Sequence, residues 1–150
     1  MLKEGDTAPK IQLQTDSGEP FDLDGVRGKK VVLFFYPKAS TPGCTIEACE
    51  FRDAIKKFEK KGAVVLGISK DTPKAQTSFK QNQCLPFTLL CDVDKKVVEA
   101  YGVWKEKNMY GKKVMGIERT TFVIDERGKI RKIFSKVKPA GHAAEVLAAL

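Results

Sequence analysis

Three nearly continuous apolar runs, VVLFFY at 31–36, AVVLGIS at 63–69 and FTLLCD at 87–92, constrain this chain more than any other feature. Each has the length of a strand and lacks the polar alternation of a half-exposed one, so each reads as a strand covered on both faces. Covered strands need helices above and below. The intervening segments supply them. TIEACEFRDAIKKFEKKG, 45–62, places Phe51, Ile55 and Phe58 with Ala48 and Ala54 at helical spacing. Glu47 and Glu50 lie near its start, lysines near its end, and Gly62 supplies a stop. DTPKAQTSFKQNQ, 71–83, and DKKVVEAYG, 94–102, read as two further helices.

The pattern then changes. RTTFVID, 119–125, and KIRKIFSK, 129–136, flank a short ERG turn and predict a β-hairpin, followed by a helix in PAGHAAEVLAAL. The opening segment, GDTAPKIQLQTDSGEPFDL, alternates around a Ser-Gly turn and predicts a preliminary hairpin. This order predicts an α/β, thioredoxin-like fold: a mixed central sheet flanked by helices, with an N-terminal β-hairpin extension. A flavodoxin-like sheet is the competitor, but it calls for parallel strands to the end.

The 150 residues suit one domain spanning 1–150, a size that buries roughly 68–70% of its unfolded surface. The longest apolar run is far short of a membrane span. MLKEGDTAPK has no apolar signal-peptide core, so a cytoplasmic protein is expected. Net charge is 27 − 19 = +8, but the lysines are scattered in pairs and no aromatic-and-basic motif accompanies them. No nucleic-acid or membrane partner is expected; a mildly basic surface suits an acidic protein partner. Four cysteines, at 44, 49, 84 and 91, leave metal binding, redox chemistry or inert burial open.

YPKASTPGCTIEACE, 36–50, lies at the carboxyl end of the first strand, where open α/β sheets place their sites. Thr41 is suited to cap the helix that follows, and Pro42 to its first position. Gly43 gives up to ~1 kcal/mol of helix propensity relative to alanine, and suits close approach of a small substrate to the backbone. Cys44 falls in the first turn, facing unpaired N–H groups and the positive end of the helix dipole. That field is worth about 0.3–2 kcal/mol. An ordinary thiol with pKa near ~8.5 is about 3% ionised at neutrality, so full ionisation multiplies the reactive species only ~30-fold. The site must also orient an electrophile and stabilise charge on its leaving group. Thr41 can aim a hydroxyl there, and an arginine from elsewhere would complete the set.

FYPKASTPGCTIEACEFRD resembles the active-site segment of the peroxiredoxins, most closely the peroxiredoxin Q or bacterioferritin comigratory protein subfamily. Pro37, Thr41 and Cys44 stand in a P-x-x-x-T-x-x-C arrangement. VLGISKDTP, FTLLCD, YGVW and ERTTFVIDERGKI continue the likeness in order over nearly the whole chain. The resemblance implies an antioxidant thiol peroxidase acting on hydrogen peroxide and organic hydroperoxides, with no metal and no organic cofactor. It implies Cys44 as the peroxidatic thiolate, Thr41 bonding thiolate and peroxide, Pro37 shielding the site, and Arg119 lowering the thiol pKa and polarising the peroxide. Glu47 is a candidate to orient that arginine. Tyr36 and Trp104 are candidates for the pocket wall, though core packing suits them better.

The subfamily's TPGCTxxAC pattern marks Cys49 as the resolving thiol, giving a Cys44–Cys49 disulfide that thioredoxin or a similar dithiol would reduce. Five residues of ideal helix separate two Cα atoms by about 8.6 Å, against roughly 4.4–6.8 Å for a disulfide. The bond therefore requires the helix start to unwind. Cys84 is the rival resolver, and Cys91 suits inert packing. Intramolecular resolution implies a monomer. Other classes stay open: a disulfide reductase, which would want C-x-x-C rather than C-x4-C; a zinc or iron–sulfur module, which the spacings and lone His142 fit poorly; and a peroxide sensor sharing the first step.

Overall fold

The computed structural model describes residues 2–150. The three apolar runs form β3 (Lys30–Phe35), β4 (Ala63–Ser69) and β5 (Thr88–Cys91), parallel neighbours in one sheet. The opening hairpin, β1 (Gln12–Thr15) and β2 (Pro20–Asp22), extends that sheet by pairing Gln14 with Cys91 and Thr15 with Leu90. At the other side, β8 (Thr120–Ile124) runs antiparallel to β3 and β9 (Ile130–Phe134) antiparallel to β8. The result is a seven-stranded mixed sheet in the order β2-β1-β5-β4-β3-β8-β9. This is the thioredoxin-like sheet with its N-terminal extension.

Alternation along β3 explains why its sequence is apolar throughout. Val31, Leu33 and Phe35 enter one core, with Val97 and Val98 of α4 (Lys96–Ala100), Tyr101 and Phe122. Val32 and Phe34, with Tyr36, enter the opposite core. There they meet Phe51 of α1 (Pro42–Asp53), Phe58 of α2 (Ile55–Lys60), Phe79 of α3 (Pro73–Gln83) and Val146 of α5 (His142–Ala148). Gly67 in β4 is glycine because a Cβ there would stand 2.8 Å from Leu89 Cδ2 and 2.9 Å from Phe34 Cζ. Among the described residues no helix is long and apolar enough to cross a membrane.

Two differences from the sequence reading stand out. The single helix expected over 45–62 is interrupted at Ala54, whose φ of −98° and ψ of 4° separate α1 from α2; no proline or glycine marks the break. More consequential is a second hairpin, β6 (Trp104–Met109) and β7 (Lys112–Ile117), outside the main sheet and unread in the sequence. β6 is mostly polar, β7 is half apolar, and neither alternates. Its one local signal is Tyr110-Gly111, both at positive φ, the geometry of a two-residue hairpin turn.

Candidate active site

The first turn of α1 carries the site because β3 ends there and the chain must turn sharply. Ser40 adopts φ 64°, and the Ala39 amide donates to Asp71 Oδ2 at 2.7 Å, tying this loop to the end of β4. Ser69 Oγ donates to the same carboxylate at 2.6 Å. Pro37 lies half-buried at the start of the turn. Pro42 opens the helix, and Cys44 follows with 1% of its surface exposed.

Arg119, between β7 and β8, reaches this turn from 75 positions away in sequence. Its Nη2 lies 3.4 Å from Cys44 Sγ, and its Nη1 donates to Glu47 Oε1 at 2.8 Å. Burial alone would push the guanidinium down, but the neighbouring Cys44 and Glu47 more than offset it and hold Arg119 above its ordinary value. Glu47, one turn on from Gly43, is fully buried. Burial pushes its carboxyl up to about 7 despite Arg119, and Oε2 has no hydrogen-bond partner among the described residues. Glu47 is thus in direct contact with the arginine it is a candidate to orient.

Gly43 also has a packing reason that its position did not suggest. A Cβ there would stand 3.1 Å from Arg119 Nη2 and 3.4 Å from Pro139 Cγ. The missing side chain makes room for the guanidinium. Thr41 also departs from expectation. It is the N-cap residue with extended backbone, but its hydroxyl caps nothing: it donates to the Lys38 carbonyl at 2.7 Å. With that proton engaged, Oγ1 is left with lone pairs and can only accept a further hydrogen bond.

Tyr36 belongs to the core. Its hydroxyl donates to Gln76 Oε1 at 2.5 Å, and Gln76 Nε2 donates in turn to Ser69 Oγ and the Leu90 carbonyl. Burial raises its pKa well above the phenol's ordinary value. Trp104 is half-buried at the foot of the β6–β7 hairpin, its ring faced by Lys95 Nζ at 5.2 Å and Lys70 Nζ at 5.7 Å. The same hairpin contributes a residue that sequence reasoning missed. Lys107 folds over Gly116, where a Cβ would meet Lys107 Cδ at 3.3 Å. Burial first, then Arg119, lowers its ammonium pKa, while Cys44 opposes that change. No sequence signal distinguishes it from its neighbours in WKEKNM.

All four cysteines are free thiols. Cys49, half-buried on α1, donates to Gln83 Oε1 at 3.4 Å, on the side of α3. Cys84 is exposed just past the end of α3. Cys91 is buried in β5, its thiol pushed up to about 12 by burial, then by Asp16 and Asp71. His142 is a core residue, with Nε2 2.7 Å from Thr121 Oγ1 and its pKa lowered chiefly by burial. Among the described residues no three His, Cys, Asp or Glu side chains converge as a metal site requires.

The AhpC/TSA family model matches residues 4–133. A putative peroxiredoxin bcp of Coxiella burnetii is 57% identical over 149 residues, covering 99% of each chain. Peroxiredoxin Bcp of Escherichia coli K12 is 46% identical over 97% of this chain and 94% of its own. Among solved structures, a cysteine mutant of Xylella fastidiosa PrxQ superimposes with a TM-score of 0.94 at 38% identity, covering 99% of this chain and 94% of that one. The Xanthomonas campestris bacterioferritin comigratory protein, solved in connection with alkyl peroxide reduction, gives 0.88 at 43% identity over 93% and 88%.

Proposed function

This chain belongs to the AhpC/TSA family, among peroxiredoxins of the Bcp and PrxQ type, and on that premise we propose that its peroxidase chemistry runs through Cys44 with Cys49 as the resolving thiol. The observation that carries the reading is the placement of Arg119 Nη2 3.4 Å from a buried Cys44 Sγ in the first turn of a helix. A cation and the start of a helix both face the sulfur. Its burial suits a slender peroxide group far better than the bulky disulfide of a protein substrate.

The thiolate attacks one oxygen of the O–O bond. That bond breaks, Cys44 gains the S–O bond of a sulfenic acid, and the other oxygen leaves with the electron pair and takes a proton, as water or an alcohol. Arg119 stabilises first the thiolate and then the charge on the departing oxygen. Glu47 keeps the guanidinium in register, Gly43 leaves it space, Thr41 accepts the peroxide O–H, and Pro37 shapes the loop above. Cys49 then attacks the Cys44 sulfur, hydroxide leaves and is protonated to water, and a disulfide forms. Both cysteines lie in α1, so the helical separation derived above applies and the first turns must unwind. An external dithiol, in our reading thioredoxin, restores both thiols by exchange. Resolution within one chain needs no second subunit, and a monomer is expected in sedimentation.

The test is peroxide consumption coupled to thioredoxin and its reductase, with hydrogen exchange over residues 41–52. Cys44→Ser should abolish turnover, and Cys49→Ser should stop it after the sulfenic acid. Oxidised protein should exchange faster than reduced protein across that segment. Full turnover by Cys44→Ser, or equal protection in the two redox states, refutes the corresponding step.

A further inference from the structure

Cys49 and Arg52, three residues apart, share the face of α1 that meets the end of α3. Both hold Gln83: Cys49 Sγ donates to its side-chain oxygen at 3.4 Å, and Arg52 Nη1 donates to its carbonyl at 2.7 Å. The next residue is Cys84, exposed, with φ 52° and ψ 46°. Helices commonly stop in that left-handed geometry, but with glycine; a side chain there costs about 1–2 kcal/mol. The fold therefore tolerates local strain to hold a solvent-facing thiol beside the residue that Cys49 touches. Arg52 Nε donates to Asp53 Oδ1 at 2.9 Å, and its Nη1 bond to the Gln83 carbonyl sets the guanidinium beside the residue that Cys49 touches and Cys84 follows.

We propose that Cys49, Cys84 and Arg52 form a second thiol site, in which oxidation captured at Cys44 is relayed to a Cys49–Cys84 disulfide at the surface. The relay rests on the peroxidase reading above, which supplies the Cys44–Cys49 disulfide. Cys84 gives its proton to solvent and its thiolate attacks Cys49 Sγ. The Cys44–Cys49 bond breaks as the Cys49–Cys84 bond forms, and the electron pair leaves on Cys44 as a thiolate received by Arg119. One disulfide is exchanged for another, with no net oxidation or reduction. The direction is set by the helix. A Cys44–Cys49 bond keeps the first turns of α1 open, whereas its transfer to Cys84 lets them refold and rebuilds the peroxidatic site. The disulfide that remains has one sulfur in solvent, where a dithiol donor reaches it.

The relay is read from peroxide stoichiometry without any reductant. Hydrogen peroxide is added in small anaerobic steps to the fully reduced chain, and disulfides are mapped on non-reduced peptides. After the relay Cys44 is free to react again, so the wild type should consume about two equivalents per chain and yield Cys49–Cys84 peptides. Cys84→Gly, which suits the left-handed stop and lacks the thiol, should consume about one and yield only Cys44–Cys49. Arg52→Gln should slow the second equivalent about tenfold, with Arg52→Lys restoring most of the rate. Uptake of about one equivalent by the wild type, mapped as Cys44–Cys49 or Cys44–Cys84, overturns the relay and leaves the peroxidase standing. Uptake that survives Cys44→Ser overturns the peroxidase reading itself, and the relay with it.

Discussion

Replacing Glu47 by glutamine isolates what one buried charge costs this fold. Folding takes that carboxyl out of water and lifts it from 4.5 to about 7, burial outweighing the attraction of Arg119. As pH rises the unfolded chain releases this proton near 4.5 and the native chain near 7. Between those values the unfolded state binds fewer protons, so stability falls with rising pH. At roughly 1.36 kcal/mol per pKa unit the penalty grows to about 3 kcal/mol above pH 7, and it is absent below the unfolded value. Glutamine keeps an oxygen for Arg119 Nη1 and stays neutral throughout. Its amide nitrogen replaces an oxygen that already lacks a partner, a cost that does not vary with pH. Relative to its effect in acid, E47Q should therefore stabilise the protein by about 3 kcal/mol at pH 8. Urea unfolding of both proteins at several pH values measures this, since the other carboxylates titrate alike and cancel. A difference between the two that does not change with pH would refute the reasoning. Activity should move the other way, because a neutral amide holds the guanidinium less firmly against Cys44.

Gly43→Ala should leave stability unchanged or raise it by up to ~1 kcal/mol through helix propensity. It should slow peroxide reduction at least about tenfold by pushing Arg119 off the thiol; an unaltered rate, measured by competition kinetics, would show that the close fit does not matter. Arg119→Met removes a hydrogen bond between charged groups worth about 1.5–3 kcal/mol, and should cost about 10–100-fold in the peroxide step. Gly67→Ala should destabilise by about 1–3 kcal/mol in thermal or urea unfolding, because Leu89, Phe34 and Tyr36 crowd its Cβ. A neutral result would mean that those rings repack freely.

The fold was legible where pattern is local. Three runs too apolar to face water required a sheet covered on both sides, and ERG between two β-rich segments announced the closing hairpin. The β6–β7 hairpin was not legible, because a hairpin lying outside the main sheet need not alternate apolar with polar residues. At the site, Cys44 was conspicuous from its proline, glycine and helix start, and Arg119 from the ERTTF segment. Their 3.4 Å meeting was not. Nor was the space that Gly43 leaves for an arginine carried in by β8, the strand next to β3, or the preference of Thr41 Oγ1 for Lys38.

The sequence alone determined which segments must be buried and where a strand hands over to a helix, because a strand's period and a helix's first turn are properties of neighbours in the chain. Tertiary structure decided the partnerships of the site and the environment of its buried acid: the Glu47 carboxyl pushed up to about 7 by burial, Lys107 folded over Gly116, and Cys49 and Cys84 gathered around Gln83 and Arg52. Burial and Coulomb energy depend on distance in space, and that distance exists only once the sheet has brought remote residues together.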